Sequence, residues 1–355
     1  MTDWMLYGAY GYTGQLIIEE AVARGHTPLL AGRSADKIKP LAERYGLPYV
    51  AFDLSNAEAM LKAHGVPLVL HTAGPFVRTS APMVDACLRT KTHYLDITGE
   101  IPVYESVLGR NADASAAGIV LMPGVGLDIV PTDCLARYVI DKVPDAVTLD
   151  IAMQVLNPSN GEPGFSRGTL KTALDMFAEG GCVRRGGKLV RHEIGLFERK
   201  FRFPHGVYAA VAVPVGDVIT AWYSHHIPNI TVYAAFPPSM LNLARTLSYV
   251  IREVVRRPAV RQWVSVQVDR VLFGPSEAVR QTGRTYQYAR AEAADGRSAE
   301  AWLETTEGYR FTALAAVRAV ERVLDGSYQG ALTPAQAFGA DFVLDIPTTK
   351  RVDRI

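Results

Sequence analysis

Short apolar runs alternate with helical stretches along the first third of the chain. The apolar runs lie at 4–7, 27–31, 49–52, 68–72, 94–97 and 119–122, and the helical stretches lie at 13–24, 35–45, 56–64, 82–90 and 102–117. Apolar runs without polar alternation are typical of parallel strands that are buried on both faces. Right-handed crossovers then place helices on both faces, so this part is predicted to be α/β, with a doubly wound parallel sheet.

The pattern changes after about residue 123. A helix is expected at 132–143, and strands are expected at 147–155, 206–213, 218–223, 230–233, 264–273, 285–293 and 299–304, with further helices at 169–179 and 238–256. A run of strands with few helices indicates an α+β second domain. Helical spacing returns at 309–324, and Thr333 and Pro334 suit the N-cap and first position of another short helix.

A glycine-rich turn follows the first apolar run and opens the first helix. Its glycines have the spacing G-x-x-G-x-x-G. The first glycine allows the tight turn, the second lets the backbone approach a pyrophosphate, and the third lets the helix pack closely on the strand. The helix N-terminus then offers N–H groups and a partial positive charge to phosphate, which predicts a dinucleotide site in a Rossmann domain. The residues expected to contact the cofactor here are Gly8, Tyr10, Gly11, Tyr12, Thr13 and Gly14.

The residues after the second strand indicate which dinucleotide is bound. NAD-specific sites usually carry an acidic residue there, which accepts a hydrogen bond from the ribose 2′-hydroxyl. This chain has Arg33 and Ser34 instead. A guanidinium can hold a 2′-phosphate through two charge-assisted hydrogen bonds, and the serine hydroxyl can add a third donor. The sequence therefore favours NADP over NAD.

Two more loops lie where strands of this sheet are expected to end, which is the edge that binds ligands. Asp53 and Leu54 follow the third strand and are expected to contact the adenine. The fourth strand is followed by Ala73, Gly74, Pro75 and Phe76, whose backbone is expected to run beside the nicotinamide ribose. Turn chemistry alone also explains both loops, because Gly-Pro is a turn signal anywhere.

Carboxylates after the fifth and sixth strands are the candidates for catalysis. Hydride addition to a C=N or C=C bond leaves an atom that must be protonated, and Asp96 or Glu100 could supply that proton. The alternative for Glu100 is a favourable position at a helix start. Asp128 and Asp133 form a second pair, for which capping of the following helix is the alternative.

Composition narrows the class of protein. The 355 residues are 48% hydrophobic and 21% charged, with 37 basic and 36 acidic residues, so the net charge is +1. This balance gives no electrostatic reason to expect nucleic acid as a partner. The three cysteines are far apart, and there is no CxxC or HExxH motif, so no disulfide framework and no metal site are expected. With no recognisable signal peptide or transmembrane segment, we expect a cytoplasmic protein.

Several motifs together resemble the saccharopine dehydrogenase-like oxidoreductases, which include the trans-acting enoyl reductases. The segments that carry the resemblance are 7–14, 30–34, 73–76, 94–100 and 123–133, with similar segments at 166–170 and 330–339. The resemblance implies a Rossmann NADP-binding domain at 1–125 and an inserted α+β domain at 126–308 for substrate and dimerisation. It also implies a C-terminal helical segment at 309–355 that packs back on the Rossmann domain.

These features predict an NADP(H)-dependent oxidoreductase that transfers hydride to or from a C=N or C=C bond of a small or medium organic substrate. A trans-acting enoyl reductase that acts on a carrier-bound acyl chain is one alternative. A sensor or scaffold protein that binds NADP(H) without turnover is another, because a fold alone does not fix a function. A homodimer is the expected assembly, since exposed edges of a strand-rich domain favour pairing.

Overall fold

The chain divides into two compact units, each with its own sheet. The computed structural model describes residues 3–156, 166–168, 170, 180–193, 196–235, 257, 260 and 274–355. One unit comprises Met1–Val130 and Tyr309–Ile346, and the other comprises Pro131–Gly308 and Pro347–Ile355. No helix in the described part of the chain is both long and apolar enough to cross a membrane.

The first unit contains a parallel sheet of seven strands. The strands are β1 (Met5–Tyr7), β2 (Leu29–Gly32), β3 (Tyr49–Ala51), β4 (Leu68–His71), β5 (His93–Asp96), β6 (Val120–Met122) and, from the C-terminal part of the chain, β15 (Gly330–Ala331). Their order is β15-β6-β5-β4-β1-β2-β3. The chain reverses its direction of travel through the sheet between β1 and β4, which is where doubly wound sheets bind their ligands. The predicted α/β fold class is confirmed.

Helices connect these strands. They are α1 (Tyr12–Ala23), α2 (Ala35–Tyr45), α3 (Ala57–His64), α4 (Phe76–Thr90), α5 (Ile101–Leu108) and α6 (Asn111–Ala117), followed late in the chain by α10 (Gly308–Asp325) and α11 (Pro334–Phe338). The N-cap predicted at Thr333 is present and forms part of a capping box, because its side chain accepts from the backbone of Gln336 and the Gln336 side chain accepts in return.

Helix α4 begins six residues earlier than the sequence suggested. The expected first residue, Pro82, lies inside the helix. Proline is an ordinary signal for the first turn of a helix, but here the backbone N–H groups of Phe76 and Val77 are capped by a carboxylate from a distant loop. A partner that is remote in sequence therefore moves the start of this helix.

Within its described residues, the second unit contains a mixed sheet of nine strands. Its elements are α7 (Val130–Lys142), β7 (Ala146–Leu156), β8 (Gly181–Arg185), β9 (Lys188–His192), β10 (Glu198–Phe203), β11 (Gly206–Ala212), α8 (Asp217–His225), β12 (Asn229–Ala235), α9 (Glu277–Thr282), β13 (Arg284–Ala293), β14 (Ser298–Thr306) and β16 (Lys350–Val352). The main path is β10-β11-β12-β7-β13-β14-β16, and β8 pairs with β12 and β9. Only β12 and β7 run parallel among these described pairs.

An aromatic core holds this second sheet in a coiled shape. Phe201 on β10 packs against Tyr233 on β12 and Tyr288 on β13, at ring distances of 4.9 and 5.4 Å. The indole Nε1 of Trp302 on β14 donates to the carbonyl oxygen of Arg202 at 2.8 Å. Strands from opposite ends of the path therefore meet, because the sheet curls around buried aromatic side chains.

Three expectations for the second unit differ from the structure or lie beyond it. The apolar run 218–223, predicted as a strand, is helix α8, and short buried runs do not distinguish the two by periodicity. Residues 347–355 belong to the second unit rather than returning to the first, because β16 pairs with β14. Apart from residue 170, the helices expected at 169–179 and 238–256 and the strand expected at 264–273 lie outside the described residues.

Helix α10 belongs to the first unit, and Glu321 on this helix joins it to the N-terminal part of that unit. The two oxygens of its carboxylate accept hydrogen bonds from Arg24 at 2.7 and 2.6 Å, and one of them lies 3.1 Å from Nε2 of His26. Arg318 donates to it at 3.1 Å. Burial opposes ionisation of Glu321, but these hydrogen bonds outweigh burial and lower the pKa to about 2.

We expect Glu321→Gln to lower the free energy of unfolding by about 2 kcal/mol at neutral pH, because the lowered pKa reports stabilisation of the charged form. That stabilisation is present above the ordinary pKa of 4.5 and is lost as the pH falls toward about 2, so the variant and wild type should converge in acid. Denaturant titrations across that range measure it. Glu43→Gln, which removes an exposed carboxylate paired with Lys39, is the control. A constant difference at every pH would contradict this prediction.

Candidate functional site

The glycine turn brings β1, β2 and the loop after β4 together. Gly8 has a φ of +97°, and a Cβ added there would lie 2.7 Å from the backbone nitrogen of Ala73. Its own N–H donates to the carbonyl of Ala31 at 2.8 Å. A Cβ on Gly14 would lie 2.5 Å from the Gly8 carbonyl. Both glycines are therefore required for close approach of backbone to backbone.

Helix α1 begins at the mouth of this turn. Its N-cap is Gly11, and no side chain caps this end among the described residues. The first N–H groups of a helix carry a partial positive charge when they are left to a ligand. This arrangement fits a pyrophosphate, which has the opposite charge and accepts hydrogen bonds.

Basic and hydroxyl groups gather at the end of β2. Arg33 is exposed, and Ser34 is the N-cap of α2, although within the described structure its side chain makes no capping hydrogen bond. The Tyr10 ring lies against Gly32, where an added Cβ would be 2.8 Å from the ring. Lys37 in the first turn of α2 places its Nζ 5.5 Å from the centre of that ring. The cluster fits a 2′-phosphate, for which cations and an uncommitted hydroxyl are the chemical requirement.

Lys37 was not singled out from the sequence. The signal that could have identified it is its position one helical turn beyond Arg33, at the start of α2. Residues in the first turn of a helix share the region near its N-terminus with the N-cap. A positive side chain there can face the same anion as Arg33.

Asp53 and Leu54 follow β3. The Asp53 carboxylate accepts from the backbone N–H of Ser55 at 3.1 Å and so caps a short helical turn, Leu54–Asn56. The hydrogen bonds from Ser55, with a smaller contribution from the Arg33 charge, lower the pKa of Asp53. Turn formation accounts for this carboxylate, and contact with adenine remains a prediction.

The loop after β4 adjoins the glycine turn. Thr72 fixes its start, since the backbone N–H and the Oγ1 both donate to the carbonyl of Tyr7, at 2.8 and 3.0 Å. The Gly74-Pro75 peptide is cis, and both of these residues are exposed. Phe76 is buried and begins α4. The loop thus presents backbone, rather than bulky side chains, beside the turn that is expected to hold the pyrophosphate.

Asp96, which was expected to meet substrate, is buried, and its contact with substrate remains a prediction. Its side chain is fully enclosed, and it accepts from the hydroxyl of Tyr94 at 2.7 Å and from the backbone N–H groups of Thr98 and Gly124 at 2.9 and 3.0 Å. Burial raises the pKa of Asp96 to about 6, although these hydrogen bonds oppose the rise. Asp96 therefore joins the loops after β5 and β6.

The carboxylate of Glu100 also accepts hydrogen bonds from backbone N–H groups. Its two oxygens accept from the N–H groups of Phe76 and Val77 at 3.0 and 2.7 Å. Its side chain is buried, and it caps the N-terminus of α4 rather than that of α5, the helix it directly precedes. The helix-capping alternative thus describes Glu100 better than the catalytic role, although the capped helix differs from the one expected.

Asp128, in contrast, is exposed. Its Oδ2 would lie 2.8 Å from a Cβ on Gly99, so the absence of a side chain there lets the carboxylate sit against that loop. The hydroxyl of Thr312 on α10 accepts from the N–H of Leu127 at 3.1 Å and holds the preceding backbone. Asp133 is buried in the first turn of α7. Asp128 is therefore the carboxylate of this pair that a ligand can reach.

Comparison with known proteins identifies the N-terminal region. Residues 4–122 match the family model of the saccharopine dehydrogenase NADP binding domain. A trans-acting enoyl reductase of Mycobacterium leprae is 33% identical over 140 residues, which are 37% of this chain and 34% of that protein. The trans-acting enoyl reductase of Mycobacterium tuberculosis strain H37Rv is 32% identical over 142 residues, with the same coverage of 37% and 34%. The chain thus spans about a third of the length of these relatives.

A solved structure resembles the whole chain. It is an apo saccharopine dehydrogenase (L-Glu forming) from Saccharomyces cerevisiae, with a TM-score of 0.68 and 14% identity, covering 99% of this chain and 100% of the other. At this identity the likeness concerns the fold alone. The family match, by contrast, confirms the resemblance and the NADP preference that the motifs predicted for residues 4–122, which match a saccharopine dehydrogenase NADP-binding domain.

Proposed function

We propose that this protein is an NADP(H)-dependent oxidoreductase that reduces the C=C bond of an α,β-unsaturated acyl compound. The observation that carries the proposal is the nucleotide site, in which the glycine turn, Arg33 and the loop 73–76 lie along the ligand-binding edge of one sheet. The enoyl substrate is favoured by the named activity of the two mycobacterial relatives. Reduction of a C=N bond is the second candidate, favoured by the family of the matching domain.

The residues have separate tasks in this proposal. Gly8, Gly11 and Gly14 let the backbone of the turn bind the pyrophosphate. Arg33, with Ser34, binds the 2′-phosphate, and the loop after β4 orients the nicotinamide half. When bound, NADPH supplies the hydride.

Asp128 is proposed to hold the proton that the acyl chain needs after hydride addition. It is exposed, whereas Asp96 and Glu100 are buried against backbone donors. Although the residue is exposed, its carboxylate lies against the Gly99 loop, and desolvation by the surrounding protein raises the pKa of Asp128 to about 6, so a larger fraction is protonated than for an ordinary aspartate. Proton transfer by a positioned carboxyl group commonly contributes a factor of about a hundred or more to a rate. Its neighbour Gly99 leaves room for the carboxylate, which keeps it at the carboxyl end of the sheet.

We therefore expect Asp128→Asn to lower kcat about a hundredfold while the Kd for NADPH changes less than about twofold, because the amide keeps the shape but cannot donate that proton readily. Steady-state kinetics and a fluorescence titration of NADPH measure the two quantities. Asp113→Asn, a change at an exposed carboxylate on α6, is the control. An unchanged kcat in Asp128→Asn would remove this residue from the mechanism.

Consumption of NADPH, followed by absorbance, tests the proposed function itself. The substrates are a 2-enoyl thioester of pantetheine, which represents a carrier-bound chain, and a mixture of a 2-oxo acid with an amino acid, which supplies a C=N bond. Oxidation with the thioester supports the enoyl assignment, and oxidation with the mixture alone replaces it with the C=N assignment. Tight NADPH binding without turnover of either would favour the sensor or scaffold alternative.

A further inference from the structure

The hydroxyl of Thr79 lies beneath the loop after β4. Its Oγ1 donates toward the carbonyl oxygen of Ala73 at 2.7 Å and lies 3.2 Å from that of Pro75. Both carbonyls belong to the exposed loop, and Thr79 is in the first turn of the helix that follows it. One hydroxyl thus contacts the backbone carbonyl groups on both sides of the Gly74-Pro75 peptide.

A buried histidine orients that hydroxyl. Nε2 of His71, the last residue of β4, lies 3.0 Å from Oγ1 of Thr79. Because the threonine proton is directed at a carbonyl, only lone pairs remain for the histidine, so Nε2 must carry the hydrogen. Nδ1 then faces the protein interior, where the described residues offer it no hydrogen-bond partner.

The imidazole is held in this orientation by rings. It stacks on Tyr7 with a centroid distance of 5.4 Å and meets the edge of Phe76 at 5.6 Å, and it is fully buried. Burial lowers the pKa of His71 to about 3, so the ring stays neutral at physiological pH. A buried imidazole with one unpartnered nitrogen is destabilising, so the hydrogen bond from Nε2 to Thr79 is the polar contact that this ring makes among the described residues.

We propose that Thr79, oriented by His71, is a positioning residue that sets the loop 73–75 for the nicotinamide half of NADP(H). The inference rests on the proposed function, because it requires that this loop contacts the cofactor. The glycine turn and Arg33 bind the other half of the molecule, so removal of the Thr79 hydroxyl affects one half only. A preset loop lowers the ordering cost of binding.

Two probes separate the halves of the cofactor. NADPH reaches the loop after β4, whereas adenosine 2′,5′-bisphosphate carries the adenine and the 2′-phosphate but lacks nicotinamide. The test variant is Thr79→Val, which replaces the hydroxyl with a methyl group of similar size. The matched control is Thr90→Val, since Thr90 lies on the same helix and its Oγ1 also donates to a backbone carbonyl, that of Ala86, at 2.8 Å. Thr79→Ser is the rescue variant.

We expect Thr79→Val to weaken NADPH binding about fivefold, as loss of one hydrogen bond would, and to change the Kd of the bisphosphate less than about twofold. Thr79→Ser and Thr90→Val should bind both probes as wild type does. Equal weakening of both probes, or no weakening of either, would overturn the inference, because a general loosening of the domain does not distinguish the halves. Wild-type protein that binds the two probes equally would also overturn it.

A second variant keeps the inference testable if Thr79→Val does not fold. His71→Phe retains the ring stacking and leaves the Thr79 hydroxyl in place, but removes the Nε2 donor that orients it. We expect it to weaken NADPH, not the bisphosphate, and His71→Gln to restore binding by returning an N–H donor. Wild-type protein that binds neither probe would refute the proposed function instead, so the two failures are distinguishable.

Discussion

Arg33→Ala is expected to weaken the binding of NADPH by about 10- to 100-fold and to leave the binding of NADH unchanged. Hydrogen bonds between a guanidinium and a phosphate contribute about 1.5–3 kcal/mol, which corresponds to that range of affinity. Arg33 is exposed at the end of β2, where the 2′-phosphate of a bound dinucleotide would lie. Only NADPH carries that phosphate, so only its Kd should change. Calorimetric titration with both dinucleotides measures the two effects.

Arg44→Ala is the matched control for this change. Arg44 is exposed in the last turn of α2, the helix that follows Arg33, so its replacement removes the same charge at the far end of that helix. The Arg44→Ala variant should bind both dinucleotides as the wild-type protein does. Equal loss of NADPH and NADH in Arg33→Ala would show that the residue supports the fold and does not select the phosphate.

Asp96→Ala is expected to lower the free energy of unfolding by about 3 kcal/mol or more. Three donors lose their acceptor in this variant, the hydroxyl of Tyr94 and the N–H groups of Thr98 and Gly124. Each buried donor left without a partner costs about 1–3 kcal/mol. Denaturant titration followed by circular dichroism gives the change in stability.

Asp96→Asn separates the structural role from a catalytic one. Its amide oxygen can still accept from Thr98 and Gly124, and its amide nitrogen can donate to the hydroxyl of Tyr94, so most of the stability should return. This variant should also keep NADPH turnover. A stable Asp96→Asn protein without activity would restore Asp96 as a catalytic residue and contradict a purely structural role for its carboxylate.

Local sequence pattern was enough to predict the strand, glycine turn and helix on which the proposed cofactor site is built. Strand, glycine turn and helix are adjacent in the chain, so the spacing of Gly8, Gly11 and Gly14 reports their geometry directly. Arg33 follows from the same logic, because the end of β2 lies beside that turn in every doubly wound sheet. Because parallel strands buried on both faces are apolar throughout, the hydrophobic pattern predicted where they lie.

The candidate catalytic residues could not be resolved in this way. Asp96 and Glu100 follow β5, where a carboxylate can face either ligand or backbone. Glu100 caps α4, which begins 24 residues earlier in the chain, and a loop after β6 supplies one donor to Asp96. Such partners are distant in sequence, so only the folded structure distinguishes these buried acceptors from the exposed Asp128.

The second unit was predicted less well for a related reason. Its strands are mostly antiparallel and coil around aromatic side chains, and β8, β9 and β10 carry many charged residues that hide their periodicity. The buried run in α8 is short enough to fit either a strand or a helix. Pairing across the sheet, rather than local pattern, determines these elements.

Transfer of deuterium tests the central claim most directly. NADPH that carries deuterium at both hydrogen positions of nicotinamide C4 is incubated with the protein and the 2-enoyl thioester, and the product is analysed by mass spectrometry. We expect a saturated acyl product that carries deuterium at its β-carbon, formed at a rate that falls in Arg33→Ala when NADPH is below saturation. NADPH that binds tightly but transfers no deuterium, to this substrate or to a C=N bond, would contradict the assignment of the protein as an oxidoreductase.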